Sequence, residues 1–302
     1  MPRRGRFASR AGSRTGADLS WFVLSLGAAV TQAAQFAVVK GRARSIPPLV
    51  IVAWTQVVAV VAWLAFFGLS GWPFVSPRGV WAAVIGSAVL VTGMNALLAR
   101  ASARGDISVV GPVFALSPVF TVMPDAVLSG TLPSALGWLG LALSVTGTVS
   151  LSGGAGGLRA LFARRDALDA LGAAILLGFV AAVDRWGAIA MGPPSYLLCS
   201  HGATALLTGT IALAVVPGGL RASLRARDLT TVLAHGLLGV GGTALQTTAL
   251  MSAPAAYVNA VRRMSAVIAV VLGATLFREP DLPRRLTAAL LALAGATCLL
   301  LA

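Results

Sequence analysis

Polar and charged positions are spaced along this chain in a way that leaves long apolar runs between them. In the first half, uncharged stretches extend from Leu19 to Val39, Ser45 to Pro77, Gly79 to Ala99, Ile107 to Pro124 and Ala126 to Leu158. Each holds the roughly 20 residues that one helix needs to cross a bilayer, the last holding the end of one span and the whole of the next. Applied to the whole chain, this pattern predicts ten spans: 20–39, 48–69, 79–99, 108–128, 135–152, 169–190, 195–216, 230–251, 255–277 and 284–302. The connections are short and rich in turn formers, as in Gly71-Trp-Pro73, Pro193-Pro194 and Pro280-Asp-Leu-Pro283. They leave no room for a soluble domain. The longest break, Gly153 to Arg165, is glycine-rich and then basic, and it divides the chain in two.

The two parts carry the same frame. Gly41 to Pro47-Pro48 and Gly187 to Pro193-Pro194 share a glycine-to-diproline spacing at an offset of 146. Ser108–Leu151 lies over Ala256–Leu299 at an offset of 148, pairing Ser117 with Ser265, Val119 with Val267 and Gly147 with Gly295. Five spans per copy is an odd number, so the second copy enters the membrane upside down relative to the first. The expected fold is an all-α membrane protein of ten transmembrane helices arranged as two inverted five-helix repeats. Its parts are a disordered basic tail (1–19), a first repeat (20–153), a linker (154–168) and a second repeat (169–302).

Composition sharpens this picture. Apolar residues make up 57% of the chain and charged ones 11%, against about 25% charged in soluble domains. Abundant Gly and Ala let helices approach backbone to backbone in lipid. A formal charge of +14 would suggest nucleic acid in a soluble protein, but here it is concentrated in the tail and loops, where it acts as a topology signal. No nucleic-acid partner is expected. The basic residues are nearly all arginine, Lys40 being the single lysine; with the many alanines, this suggests a high-GC bacterial genome and a multi-pass protein of the inner (plasma) membrane. The side holding both termini would carry seven basic residues and the opposite side fourteen. The arginine-rich tail argues against that bias, so the orientation stays open. Cys199 and Cys298 sit in apolar segments without metal-ligand spacing, as buried thiols do.

The most pointed chemistry inside the membrane is Arg262-Arg263, in Tyr257-Val-Asn259-Ala-Val-Arg262-Arg263-Met-Ser265. An arginine at membrane depth is costly and faces the bundle or a cavity. Helical spacing aligns Ala255, Asn259, Arg262, Ala266, Ala269 and Gly273 in one small and polar stripe. A guanidinium there can grip a carboxylate or phosphate with two bonds, or it can simply neutralise an internal acid. Two acids qualify, Asp125 (on a stripe with Ser117 and Thr121) and Asp184. Either can carry a coupling proton or serve as counter-charge, and the second role is preferred because a carboxylate beside an arginine stays ionised. Milder polar groups lie at Thr31, Gln32, Gln35, Gln56, Thr92, Asn95, His201, His235, Thr243 and Gln246. For any one of these, hydrogen bonding between helices is the default role. There is no Gly-rich phosphate loop with its lysine, no metal-ligand cluster and no nucleophile with a base and orienting acid. An enzyme is not expected, nor any cofactor or metal.

The segment Val261-Arg262-Arg263-Met-Ser-Ala-Val-Ile-Ala-Val-Val-Leu-Gly273-Ala-Thr-Leu-Phe-Arg-Glu279 resembles the ninth helix of the EamA-like ten-helix members of the drug/metabolite transporter (DMT) superfamily. Asn259-Ala-Val-Arg262-Arg263 is also similar to the Asn-x-x-Lys/Arg-Arg stretch of the related sugar-phosphate and nucleotide-sugar translocators, where the basic pair holds phosphate. The chain departs from the family pattern at Leu128-Ser-Gly130-Thr131, where a Gly-Glu pair is common, and at Trp54-Thr55-Gln56, where many members carry an arginine. The resemblance implies a secondary transporter or exporter of a small metabolite, with an anionic substrate as one hypothesis, working by alternating access where the repeats meet. Arg262 would anchor the substrate with Arg263 beside it, Asn259 and Tyr257 would orient it, and Gln32, Asn95 and Gln246 would line a polar wall. The expected partners are that substrate and the lipid bilayer, with a homodimer also admitted. A lipid-carrier flippase and a non-transporting membrane scaffold are the alternatives.

Overall fold

A computed structural model of the chain describes residues 14–40, 47–77, 79–104, 113–130, 132–150, 165–218, 220, 226–265, 267–268 and 282–302. Among these residues the regular structure is helical. The ten helices are α1 (Arg14–Lys40), α2 (Pro48–Ser70), α3 (Trp81–Arg104), α4 (Ser117–Ser129), α5 (Ala135–Ser150), α6 (Arg165–Met191), α7 (Pro193–Val215), α8 (Ala226–Ala249), α9 (Ala255–Arg262) and α10 (Leu282–Leu300). Helices α1, α6 and α8 begin four to six residues before the predicted spans, extending into polar sequence. Residues 1–13 of the tail, residues 154–164 of the linker, Thr131, Gly273 and Glu279 lie outside the described residues.

Local sequence sets the boundaries. Pro48 and Pro193 occupy the first turns of α2 and α7, where a missing N–H costs nothing and a fixed φ suits the helix. At the other end of α2, Gly71 takes a left-handed φ of 62° and returns its N–H to the Phe67 carbonyl at 3.2 Å. That conformation is cheap for glycine and strained for residues with a Cβ. Four of the helices, α2, α3, α6 and α7, contain stretches long and apolar enough to cross a membrane. In α8 the apolar run is interrupted by His235 and Gln246.

The sequence predicts unbroken spans at 108–128 and 255–277; residues 108–112, 266 and 269–277 lie outside the described residues, and the described backbone tightens just before α4 and at the end of α9. Before α4, Leu116 N–H bonds Val113 O at 3.1 Å and Val119 N–H bonds Leu116 O at 3.0 Å, both three-residue closures. After α9, the Arg263 N–H is shared between Asn259 O and Ala260 O, at 3.1 Å each. Such local 3₁₀ geometry inside a helix is tolerated at membrane depth where protein surrounds it.

The bundle is built from pairs. The principal contacts are α5 with α10, α3 with α6, α1 with α8, α2 with α7, α4 with α6 and α9, α8 with α2, α7 with α3, and α9 with α1. Small residues make the closest approaches possible. A Cβ added at Gly147 of α5 would sit 2.8 Å from Ala288 O of α10, and one at Gly295 would meet the backbone of Ser144. Large apolar side chains such as Leu69 (90% exposed), Val127 (78%) and Leu206 (71%) point outward instead. A surface of that character suits lipid. The described core gathers around Trp21, Leu141, Leu250, Tyr257, Val258, Val261 and Leu299, where α1, α5, α9 and α10 meet.

The glycine contacts give a direct test. Gly147→Val should lower stability by about 1–3 kcal/mol through overpacking of the α5–α10 crossing. Gly68→Ala, in helix α2 with open space around it, should be neutral or stabilising by up to about 1 kcal/mol. Unfolding of the purified variants in detergent measures both.

Candidate functional site

A cavity of about 230 Å³ opens inside the bundle, walled by α1, α2, α3, α6, α7, α8 and α9. Its polar lining falls into two groups. One comprises Arg262, Gln246, Asp184 and Ser87; the other comprises Gln35, Thr55, Gln56, His201, His235 and Thr243. Asn95, Ser200 and Thr204 are also in the wall, and Val91, Met94, Leu177, Val180 and Leu197 supply apolar surface.

Arg262 reaches the cavity from the last turn of α9. Its Nη1 donates to Gln246 Oε1 on α8, its Nε is buried without a partner among the described residues, and no carboxylate there lies within ion-pair distance. Asp184 enters from α6. Its Oδ1 accepts the hydroxyls of Tyr196 at 2.6 Å and Ser87 at 2.7 Å. Tyr196 can come this close because α6 carries Gly187 there; a Cβ at that position would overlap the tyrosine ring. In the second group, His201 Nδ1 lies 2.5 Å from Gln56 Oε1, an arrangement that places the ring proton on Nδ1. Its Nε2 faces Thr243 Oγ1 at 3.3 Å, and that hydroxyl also reaches Gly239 O at 2.8 Å. Gln35 Nε2 donates to His235 O at 3.0 Å.

Of the residues proposed from the sequence, Arg262, Gln246, Asn95 and Asp184 lie together in the cavity wall. Asn95 turns its Nδ2 to Val91 O on its own helix at 2.8 Å. The other four substrate candidates lie outside the lining. Asn259 is 1% exposed and donates to Thr121 Oγ1 at 2.9 Å, across the α4–α9 contact. Tyr257 packs beside Trp21, with ring centroids 6.4 Å apart, in space left by Gly137. Arg263 is buried with its guanidinium 5.1 Å from the centre of the Phe114 ring, a cation–π contact. Gln32 has its Oε1 buried without a partner among the described residues.

Asp125 forms a separate node. Its Oδ1 accepts Arg185 Nη1 at 2.9 Å, its Oδ2 accepts the Ala255 N–H at 2.8 Å, and Arg185 Nε donates to Leu250 O at 3.2 Å. The carboxylate caps the N-terminus of α9, where the backbone N–H groups and helix dipole favour negative charge. It is therefore not part of the cavity chemistry.

Sequence reasoning missed Ser87, Tyr196, Ser200 and Thr204. The period of four in Tyr196, Ser200 and Thr204 marks one face of α7 and was a usable signal. The meeting of Tyr196 with Asp184 depends on the glycine contact between α6 and α7, which spacing alone does not reveal.

Residues 19–153 match the EamA-like transporter family. No curated protein matches the chain. A solved structure titled only as the crystal structure of a protein shares the fold with a TM-score of 0.75 at 19% identity, covering 95% of this chain and 99% of its own. At that identity the likeness concerns the fold alone.

Two ion pairs among the described residues, Asp125–Arg185 and Arg100–Asp169, should respond differently to mutation. Asp125→Asn leaves the Arg185 guanidinium, 17% exposed, without its counter-charge and should cost about 3–5 kcal/mol. Adding Arg185→Gln should restore part of that loss. Arg100→Gln removes the bond to Asp169, whose arginine is 57% exposed, and should cost under about 1 kcal/mol. Chemical unfolding in detergent reads all three.

Proposed function

We propose that the chain is an EamA-like protein of the drug/metabolite transporter superfamily, a reading supported by the match of residues 19–153 to that family, and that it is a secondary transporter or exporter of a small anionic metabolite. The family is one of membrane transporters. The observation that carries the substrate reading is the cavity itself: it reaches Arg262, whose charge has no ion-paired carboxylate among the described residues. A guanidinium that opens on the cavity without a direct ion pair is positioned to take a carboxylate or phosphate group. Gln246 steadies it, and Asn95 offers an amide oxygen within the same wall. Tyr257, Asn259 and Arg263 act behind the wall by fixing α9 against α1 and α4. The cavity is smaller than the about 300–1,000 Å³ typical of pockets for drug-sized ligands, which suits a small metabolite. A non-transporting scaffold would have a packed centre and a capped Arg262, so the same observation weighs against it.

Alternating access between two inverted repeats, residues 20–153 and 169–302, is the mechanism we infer. Three features support it. Adding five to each helix number, so that α1 becomes α6 and α6 becomes α1, carries the principal contacts into one another: α3 with α6 becomes α8 with α1, and α2 with α8 becomes α7 with α3. The diprolines that start α2 and α7 are equivalent. The tightened turns at Leu116 and Arg263 fall within one residue of each other at the 148 offset. Two conformations of similar energy then follow from exchanging the roles of the copies. The arginine- and alanine-rich composition favours a bacterial inner membrane as the site of action.

The purified protein in liposomes should exchange a labelled carboxylate or phosphate metabolite, and Arg262→Ala should abolish that uptake. Unchanged transport in the variant, with its fold confirmed by gel filtration and thermal unfolding, would remove Arg262 from the site.

A further inference from the structure

The cavity and the main apolar cluster extend toward opposite ends of the same helices. On α1, Trp21 belongs to the cluster and Gln35 to the cavity wall; along α8, Leu250 just past its end belongs to the cluster and His235 to the wall. In each case about 20 Å of helix separates the two residues. At the cluster end Leu250, Ala255 and Val258 are fully buried, whereas at the other end Gln35, Val52 and His235 are half-buried. The bundle is therefore shut at the end from which α9 departs, and its cavity faces the other way. That shut end is where Asp125 and Arg185 meet. They tie four segments together: α4 and α6 through the ion pair, the start of α9 through the Ala255 N–H, and the end of α8 through the Leu250 carbonyl. The pair has no twin in the repeat frame. At the offsets of 148 and 146 that align the halves, Asp125 stands over Gly273 and Arg185 over Val39, neither of them ionisable.

We propose that the Asp125–Arg185 pair is a one-sided latch: it holds the end of the bundle beside α9 shut, and it must release for the cavity to face that side. The inference rests on the alternating-access reading given above. In that reading the repeats exchange roles between two states of similar energy, and an ion pair built into one end alone tips the balance toward the state in which it forms. Opening at that end parts the turn between α8 and α9 from α4 and α6, so the Ala255 and Leu250 bonds are given up together. The side chains of Asp125 and Arg185 are only 5% and 17% exposed, and a pair shielded in this way attracts more strongly than one in water. Neither residue belongs to the cavity wall. They set which side the cavity faces, and leave the choice of what it holds to other residues.

Spin labels at Leu128→Cys on α4 and Met251→Cys in the turn before α9, positions 45% and 41% exposed, report the width of that end by double electron–electron resonance in liposomes. The native Cys199 and Cys298 are replaced by alanine for this purpose. With the latch intact, one short distance should dominate. Arg185→Gln keeps the Asp125 cap on α9 but removes both arginine bonds, and should raise a longer-distance population about tenfold or more, the worth of a charge-assisted hydrogen bond. Arg185→Lys should reverse most of that change. Asp125→Asn should act like Arg185→Gln; where it does not fold, the two arginine variants carry the test. A node that serves stability alone would lower the thermal midpoint of Arg185→Gln and leave the short distance unmoved, and that result overturns the latch, as does a long distance dominating in the parent protein. Uptake of a labelled carboxylate or phosphate separates the latch from the reading it rests on. An unmoved distance with uptake retained overturns the latch and leaves transport standing. A shifted population without uptake supports the latch and overturns the anionic substrate, and a single distance in every variant without uptake overturns both.

Discussion

A single carboxylate holds together the end of the bundle from which α9 departs. Asp125 joins α4 to α6 through Arg185 and to the first N–H of α9, while Arg185 reaches the carbonyl of Leu250 at the end of α8. Few groups other than an ionised acid could satisfy a guanidinium and a helix N-terminus at once. The direction in which α9 leaves its turn is set there, and Arg262 lies two turns further on. The cavity geometry is thus inherited from a node that contributes no atom to its wall. This constraint divides two acids that look alike in the sequence: Asp125 is consumed by structure, and Asp184 is left facing the cavity.

The helical frame was legible because membrane helices announce themselves by length and by the absence of charge. Pro48 and Pro193 marked the starts of α2 and α7 for a local reason, their fixed φ. Helices α1, α6 and α8 run past their predicted spans, since polar residues beyond the apolar run still continue a helix. The tightened turns at Leu116 and Arg263 left no trace in hydropathy. The backbone adjusts there under tertiary packing.

The site was legible in part. Arg262, Asp184, Asn95 and Gln246 stood out as polar residues in apolar surroundings. Periodicity also placed Asn259 on the stripe of Arg262, yet the two differ: Asn259 turns to Thr121 and Arg262 to the cavity. A stripe specifies a face of a helix to within tens of degrees, and that face here spans both a neighbouring helix and open space. Arg263, next in sequence to Arg262, is held against an aromatic ring instead, because successive residues on a helix point about 100° apart. His201, Gln56 and Thr243 come from three helices, and only the assembled bundle makes them neighbours.

Helices α5 and α10 contribute nothing to the cavity wall. They meet each other backbone to backbone through Gly140, Gly147 and Gly295, and their inner sides pack on α1 and α9. The outer surface of this pair faces away from the cavity wall. Sequence drift can accumulate there freely, provided the glycines stay. Two proteins on this frame can therefore diverge in what they carry while keeping the same keel.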